Sequence, residues 1–236
     1  MLIGTTYHSI YGKISEKVRF VFVSDLHNFD NSPILELIDK SNADAVLVAG
    51  DFIHNNNLFE NGLEFLKDSA LRLPTFCSLG NHEIYLENTI RTSVMKSGAV
   101  LLDNSFCTFK GIKIGGLTSG KFYLKNNKQP DLNWLCRFSL EDGYKLLLCH
   151  HPEYFNKYIC DLPIDITLSG HAHGGQWRFF DKGIYAPGQG LLPKYTCGLY
   201  DNRLLVNRGI GNQFIIPRIN NKPEIVILDI NKTACG

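Results

Sequence analysis

The seven cysteines of this 236-residue chain include no CxxC pair, and their number is odd. That argues against a thiolate zinc cluster and against a complete disulfide framework. Several lie inside apolar stretches, such as Phe76-Cys77-Ser78 and Leu148-Cys149-His150, so buried free thiols in a reducing compartment are expected. No apolar run approaches the roughly eighteen residues of a membrane span. The N-terminus also lacks the basic-then-apolar pattern of a signal peptide. The expected location is therefore cytoplasmic, with room for membrane association; an anchor ahead of Met1 is compatible with the sequence. Charge of one sign is missing too. With 24 basic and 23 acidic side chains, the net charge of +1 gives no global field. That excludes generic nucleic-acid binding by a basic stripe, and no sequence-specific nucleic-acid partner is expected. Repeats, low-complexity tracts and linkers are likewise absent, and one domain covering 1–236 is expected.

What is present is a regular alternation. Val18 to Val23 reads as a buried strand. Ser32-Pro33 reads as an N-cap followed by proline in the first helical turn, opening a helix to about Lys40. Ala45 to Ala49 is the next strand, Leu58 to Leu71 a second helix, and Thr75 to Leu79 a third strand. This β-α-β-α-β order predicts parallel strands with right-handed crossovers. Further on, Ser105 to Leu117 reads as a hairpin turning near Lys110-Gly111. Residues 121–131 read as a loop, and Leu132 to Phe138 as a short helix. Tyr144 to Cys149, Asp165 to Ser169, Gln176 to Phe180, Arg203 to Asn207 and Glu224 to Ile230 read as strands.

Polar motifs terminate most of these strands: Asp25-Leu26-His27, Gly50-Asp51, Gly80-Asn81-His82-Glu83, His150-His151-Pro152 and Gly170-His171-Ala172-His173. Asp25-Leu26-His27 and Gly50-Asp51 are weak alone, because Asp and Gly are common turn residues; Asn81 wedged between Gly80 and His82 says more, and a His171/His173 pair bracketed by glycines reads as ligand rather than core. Together they sit where ligands of an α/β sheet collect, beyond the carboxyl ends of the strands. A metal pair needs about four ligands per ion, which several converging strand ends can supply. Glu83 reads equally as a group orienting His82 or as a surface carboxylate. His151 reads as a neighbour of the site, His54 as a solvated loop residue and His8 as a surface residue. Arg208 reads equally as a phosphate contact or a salt-bridge partner.

The ordered set of motifs resembles the calcineurin-like metallophosphoesterase family. The later segments Pro187 to Tyr195 and Val206 to Gly211 are similar to its bacterial branch named for YkuE and YaeI. The resemblance implies two mixed β-sheets packed as a sandwich flanked by helices, a four-layer αββα fold. It implies a hydrolase with two divalent metal ions: Mn, Fe or Zn suit the imidazole and carboxylate donors. Carried over, Asp25, His27, Asp51 and His173 would hold one ion. Asp51, Asn81, His150 and His171 would hold the other, with Asp51 bridging and His82 the catalytic histidine. Such a pair, about 3.5–4 Å apart, lowers the pKa of a bridging water so that hydroxide can attack a phosphate ester or pyrophosphate. A non-catalytic scaffold on the same fold and a nuclease of the family are the competing readings. Scaffolding members lack the catalytic histidine, whereas His82 is present. Apolar residues in two late loops, Leu191-Leu192 and Phe214-Ile215-Ile216, read either as packing on the sheet or, where exposed, as the contact for a lipid-linked phosphate at a membrane surface; a small phosphorylated molecule is the other substrate expected. The sequence says nothing of oligomeric state.

Overall fold

The computed structural model describes residues 3–27, 29–55, 58–85, 88–120, 129–212 and 217–233. The first sheet is built from β1 (Gly4–Gly12), β2 (Val18–Val23), β3 (Ala45–Ala49), β4 (Thr75–Ser78) and β5 (Val100–Leu102), with helices α1 (Ser32–Lys40), α2 (Glu60–Arg72) and α3 (Asn88–Lys96) between them. Next come β6 (Ser105–Phe109), β7 (Ile112–Leu117), α4 (Leu132–Ser139), β8 (Tyr144–Cys149) and β9 (Ile166–Ser169). Two short ribbons follow, β10 (Arg178–Phe179) with β11 (Lys182–Gly183), and β12 (Tyr185–Ala186) with β13 (Gly190–Leu191). Three strands complete the chain: β14 (Gly198–Tyr200), β15 (Leu204–Val206) and β16 (Glu224–Lys232).

Both large sheets are six-stranded and mixed, in the orders β1-β16-β2-β3-β4-β5 and β14-β15-β9-β8-β7-β6. In the first, β2 to β5 run parallel, β16 runs antiparallel to β2, and β1 runs parallel to β16. In the second, β7, β8, β9 and β15 run parallel, with β6 and β14 antiparallel at the edges.

The period-2 alternation of strands decides what goes where. Phe20, Phe22, Leu47 and Val226 of the first sheet meet Ile114, Leu146, Leu148, Ile166 and Leu168 of the second in one buried layer. The opposite faces carry the helices. Val21, Val23, Val46 and Val48 pack against Ile34, Ile38, Phe65 and Leu66 of α1 and α2. Leu147, Leu204 and Val206 pack against Trp134, Leu135 and Phe138 of α4. These are the four layers of an αββα sandwich. Burying each such side chain is worth about 1.5–3 kcal/mol.

Several local readings need correction. Ser32 is not the cap of α1: Asn31 occupies that place without a side-chain cap bond, and its amide donates to the Asn61 carbonyl at 2.7 Å. The second helix begins at Glu60, because Leu58 N donates back to Asn55 O at 3.2 Å and forms a β-bridge there. The strand expected over Gln176 to Phe180 shrinks to two residues, since a tight turn over His173–Gly175 and a left-handed Gln176 (φ 55°) swing the chain around first. β1, α3 and β5 were not anticipated. Among the described residues no cysteine is paired; Cys77 and Cys149 are buried, but Cys136 is exposed. No helix among the described residues is long and apolar enough to cross a membrane.

Candidate metal centre

The parallel strands of both sheets end at one edge, and the polar motifs meet there. Asp25 and His27 follow β2, Asp51 follows β3, and Asn81 and His82 follow β4. His150 follows β8, while His171 and His173 follow β9. Asp25, Asp51, His150, His171 and His173 are buried, and His27 nearly so.

Strand ends point along the sheet, so the chain must turn sharply to aim these side chains at one another. Asp25 (φ 51°), His27 (45°), Asp51 (51°), His171 (62°) and His173 (45°) all adopt the left-handed region. That conformation costs an L-residue about 1–2 kcal/mol, and the surroundings must hold it in place. Close approach helps. Gly50 has φ +76°, and a Cβ there would lie 2.6 Å from the Gly80 Cα, so the β3 and β4 ends touch backbone to backbone.

Two groups of donors result. The ligand atoms of Asp25, His27 and His173 lie within 4.8 Å of one another, as do those of Asp51, His150 and His171. The Asp51 carboxylate faces both. Its Oδ2 is 3.0 Å from His150 Nε2 and 3.9 Å from Nε2 of both His27 and His82. Asp25 Oδ1 is 3.5 Å from His173 Nε2, 3.8 Å from His27 Nε2 and 3.9 Å from His150 Nε2. Asn81 Oδ1 is buried and accepts no hydrogen bond among the described residues.

Outer contacts fix each group. His150 Nδ1 faces the Ala49 carbonyl at 2.7 Å, which turns Nε2 toward Asp51. Asp25 accepts from Ser24 Oγ at 2.6 Å and from the His171 amide at 3.0 Å. His82 sits at the mouth with its side chain 22% exposed; its amide donates to Asp51 Oδ1 at 3.0 Å, and its Nδ1 contacts the His54 carbonyl.

The charges are finely set. Burial pushes His27 and His171 well below the ordinary imidazole range. Burial likewise takes His173 down to about 4, against the pull of Asp25. For His150 burial opposes protonation, but the Asp51 and Asp25 carboxylates outweigh it and raise it to about 10. Burial alone would raise the Asp51 carboxyl; the imidazoles of His150, His82 and His27 hold it well below its usual range instead. Carboxylates and imidazoles converging on one buried space, three of the imidazoles held neutral by burial, are the donor set a first-row divalent cation takes; at His150 a cation would replace the proton that the carboxylates hold there. The residues present fit metal ions.

Glu83 and His54 stand differently from the sequence reading. Glu83 is neither a surface group nor a partner of the His82 ring. It is fully buried and accepts from the amides of Asp51 (2.8 Å), Gly80 (2.7 Å) and Ile53 (3.1 Å). It therefore braces the ends of β3 and β4, and burial and Asp51 raise it to about 7. His54 is no solvated bystander: its ring centroid is 5.6 Å from that of His82 and 5.8 Å from that of His27. Arg208 takes the salt-bridge reading, with its amide 3.0 Å from Glu224 Oε1 and its Nε 3.4 Å from Oε2. His151 is buried beside the site, its ring 4.2 Å from that of His171. His8 is half-buried on β1. Arg218 drew no attention in the sequence, yet its Nη2 is 3.3 Å from His173 Nδ1.

Comparison with known proteins gives this edge its class. Residues 18–175 match the calcineurin-like phosphoesterase family, and the chain belongs to it. It is a metal-dependent phosphoesterase by that membership. Among its relatives is the metallophosphoesterase YkuE of Bacillus subtilis, 28% identical over 98% of this chain and 87% of that one. The phosphodiesterase YaeI of Escherichia coli is 24% identical over 90% of this chain and 82% of its own. A shorter match, 38% identical over 35% of this chain and 28% of the other, is to the UDP-2,3-diacylglucosamine pyrophosphatase LpxG of Chlamydia muridarum.

Proposed function

We propose that the chain is a two-metal phosphohydrolase acting on a phosphate ester or pyrophosphate. The observation that carries this is the place of Asp51 Oδ2, 3.0–3.9 Å from imidazoles of both donor groups, so that one carboxylate serves two ions. Asp25, His27, Asp51 and His173 would hold one ion, and Asp51, Asn81, His150 and His171 the other. When bound, the pair would supply an acidified water as nucleophile and positive charge for the phosphoryl oxygens. The protein's own part falls to His82. Its Nδ1 is held by the His54 carbonyl, and Nε2 lies 3.9 Å from Asp51 Oδ2 on a partly exposed ring, placed to give a proton to the departing oxygen. The chain forms one domain in this reading.

The substrate reading is a lipid-linked phosphate or pyrophosphate, alongside a small phosphorylated molecule. Leu191 and Leu192 are 76% and 75% exposed, and Phe179 and Phe180 stand out on the neighbouring ribbon. Lys182 and Lys194 are exposed beside them. Apolar tips with lysines suit an anionic membrane surface near a head-group site. Phe214, Ile215 and Ile216 lie outside the described residues. LpxG, by its name, acts on a diacylated sugar pyrophosphate.

The test is a hydrolysis screen of protein stripped by chelator and reloaded with Mn, Fe or Zn. Phosphomonoesters, phosphodiesters and a lipid-linked pyrophosphate in anionic vesicles form its arms. Activity should vanish on chelation, return with metal and favour the vesicle arm. Hydrolysis that persists without metal sinks the two-metal reading. Equal rates on soluble diesters and the vesicle substrate sink the lipid one.

A further inference from the structure

We infer that Arg218 is a positioning residue for the Asp25–His27–His173 half of the metal centre. Its guanidinium donates to three carbonyls of one turn, those of Arg208 (2.8 Å), Gly209 (3.2 Å) and Gly211. Nη2 of the same group also reaches His173 Nδ1.

The captured turn forms the wall behind Asp25. Ile210 N donates to Ser24 O at 3.2 Å, and Gly211 N donates to Asp25 O at 2.6 Å. Gly209 has φ +72°, and a Cβ there would lie 2.7 Å from the Asp25 Cβ, so the backbone lies flat against the ligand. Asn207 anchors the start of the turn, accepting from Gly209 N at 2.6 Å and donating to Phe22 O at 3.1 Å. Asn207 cannot reach the far end of the turn; Arg218 does. Removing the guanidinium takes away the only donor these three turned-in carbonyls have among the described residues, and the wall can then slide away from Asp25. Asp25 is itself left-handed and depends on that wall.

The other donor group has separate supports. Glu83 holds the Asp51 and Gly80 amides, and the Ala49 carbonyl orients His150. Among the described residues no hydrogen bond joins Arg218 to any of these. The consequence is asymmetric: losing Arg218 weakens one ion site and spares the other. Arg218 stays charged at neutral pH, since burial lowers it only to about 10. Substitutions behind metal ligands typically cost about 10–100-fold in affinity.

This inference rests on the two-metal reading, and the experiment separates the two. Full-length wild type, Arg218→Met, Arg218→Lys and Arg203→Met are titrated with Mn. Bound metal is counted by mass spectrometry, and spin coupling is followed by electron paramagnetic resonance. Arg203 is the control because it also grips three carbonyls, at the opposite edge. Wild type and Arg203→Met should bind two ions with a coupled signal. Arg218→Met should keep one ion, hold the second at least about tenfold more weakly and show an uncoupled signal. Arg218→Lys, which keeps charge but not the fork, should fall between, and it decides the matter if the methionine variant fails to fold. Two ions bound at wild-type affinity by every folded Arg218 variant overturns the assignment. A wild type that never binds a second ion overturns the two-metal reading itself.

Discussion

Arg203 and Arg218 each spread one guanidinium over three backbone carbonyls, at opposite ends of the same sandwich. At the starting edge of the strands the surrounding charges are answered. Arg203 donates to the carbonyls of Cys160, Leu162 and Ile164 at 2.6–3.0 Å. Buried Lys145 donates to those of Glu141 and Gly143 at 2.7 and 3.2 Å. At the finishing edge, carboxylates and imidazoles face each other across a shared space. Five of the residues there also carry left-handed backbone. One edge is finished by the chain alone, whereas the other has a donor set that only a cation completes. The difference locates function in the edge where local satisfaction is withheld.

The largest expected effects come from breaking the finishing edge. Asp51→Asn should lose metal and turnover together, on the order of 10³-fold or more, because one carboxylate faces both donor groups. His82→Ala should keep its metal and lose about 10²–10⁴-fold in kcat, as removal of a positioned proton donor does. Metal counts and single-turnover rates on both variants decide this. A His82→Ala protein that loses an ion, beside an Asp51→Asn protein that keeps its full complement, reverses the roles.

A substitution at the starting edge should do the opposite. Arg203→Met leaves three carbonyls without their donor and removes the cation stacked 5.9 Å from the Phe155 ring. The expected loss is about 2–4 kcal/mol of stability, with metal content and kcat unchanged. Urea unfolding beside a metal assay reads both. A marked fall in metal affinity would mean that the two edges are coupled through the strands.

The strand ends were legible because apolar runs stop at Gly, Asp, Asn and His, and the order of those stops is that of the family. All of Asp25, His27, Asp51, Asn81, His82, His150, His171 and His173 come to one edge in the structure. Their metal and catalytic roles are what the variants above test. What the sequence hid follows from physics rather than from weak signal alone. Left-handed φ at Asp and His leaves no mark in composition. Glu83 and Arg218 act on backbone amides and carbonyls, which every residue has, so no spacing betrays them. His54 reaches the site because the chain after Asp51 doubles back, where a loop histidine reads as solvated. β1 is hard to read because Ile10 is its one buried apolar side chain while Tyr7 and Tyr11 face outward, and because its partner, β16, lies at the far end of the chain. The ribbons β10 to β13 are two residues each, too short for any period.

The smallest effect tests whether the starting edge is as self-contained as it looks. Asp229 and Arg19 are cross-strand partners on β16 and β2. Arg19 Nε and Nη2 donate to Asp229 Oδ1 and Oδ2 at 2.7 and 2.9 Å, and Lys17 Nζ lies 2.7 Å from Oδ2. The Arg19 hydrogen bonds, against some burial and with help from Lys17, depress the Asp229 carboxyl from 3.8 to about 2. A carboxyl depressed on folding contributes stability above its unfolded value, and that stability is lost as pH falls through the folded value. The window therefore runs from about pH 4 down to about pH 2. Because Lys17 and Arg19 are partly open to water, the worth at neutral pH is discounted to about 1 kcal/mol. Asp229→Asn should show that deficit in urea midpoints at pH 7 and pH 5. The two proteins should draw together between pH 4 and pH 2, with metal binding at pH 7 unaltered. A gap that stays constant to pH 2 would assign the loss to shape rather than charge. A change in metal content would join this pair to the centre at the far end of the strands and dissolve the division between the edges.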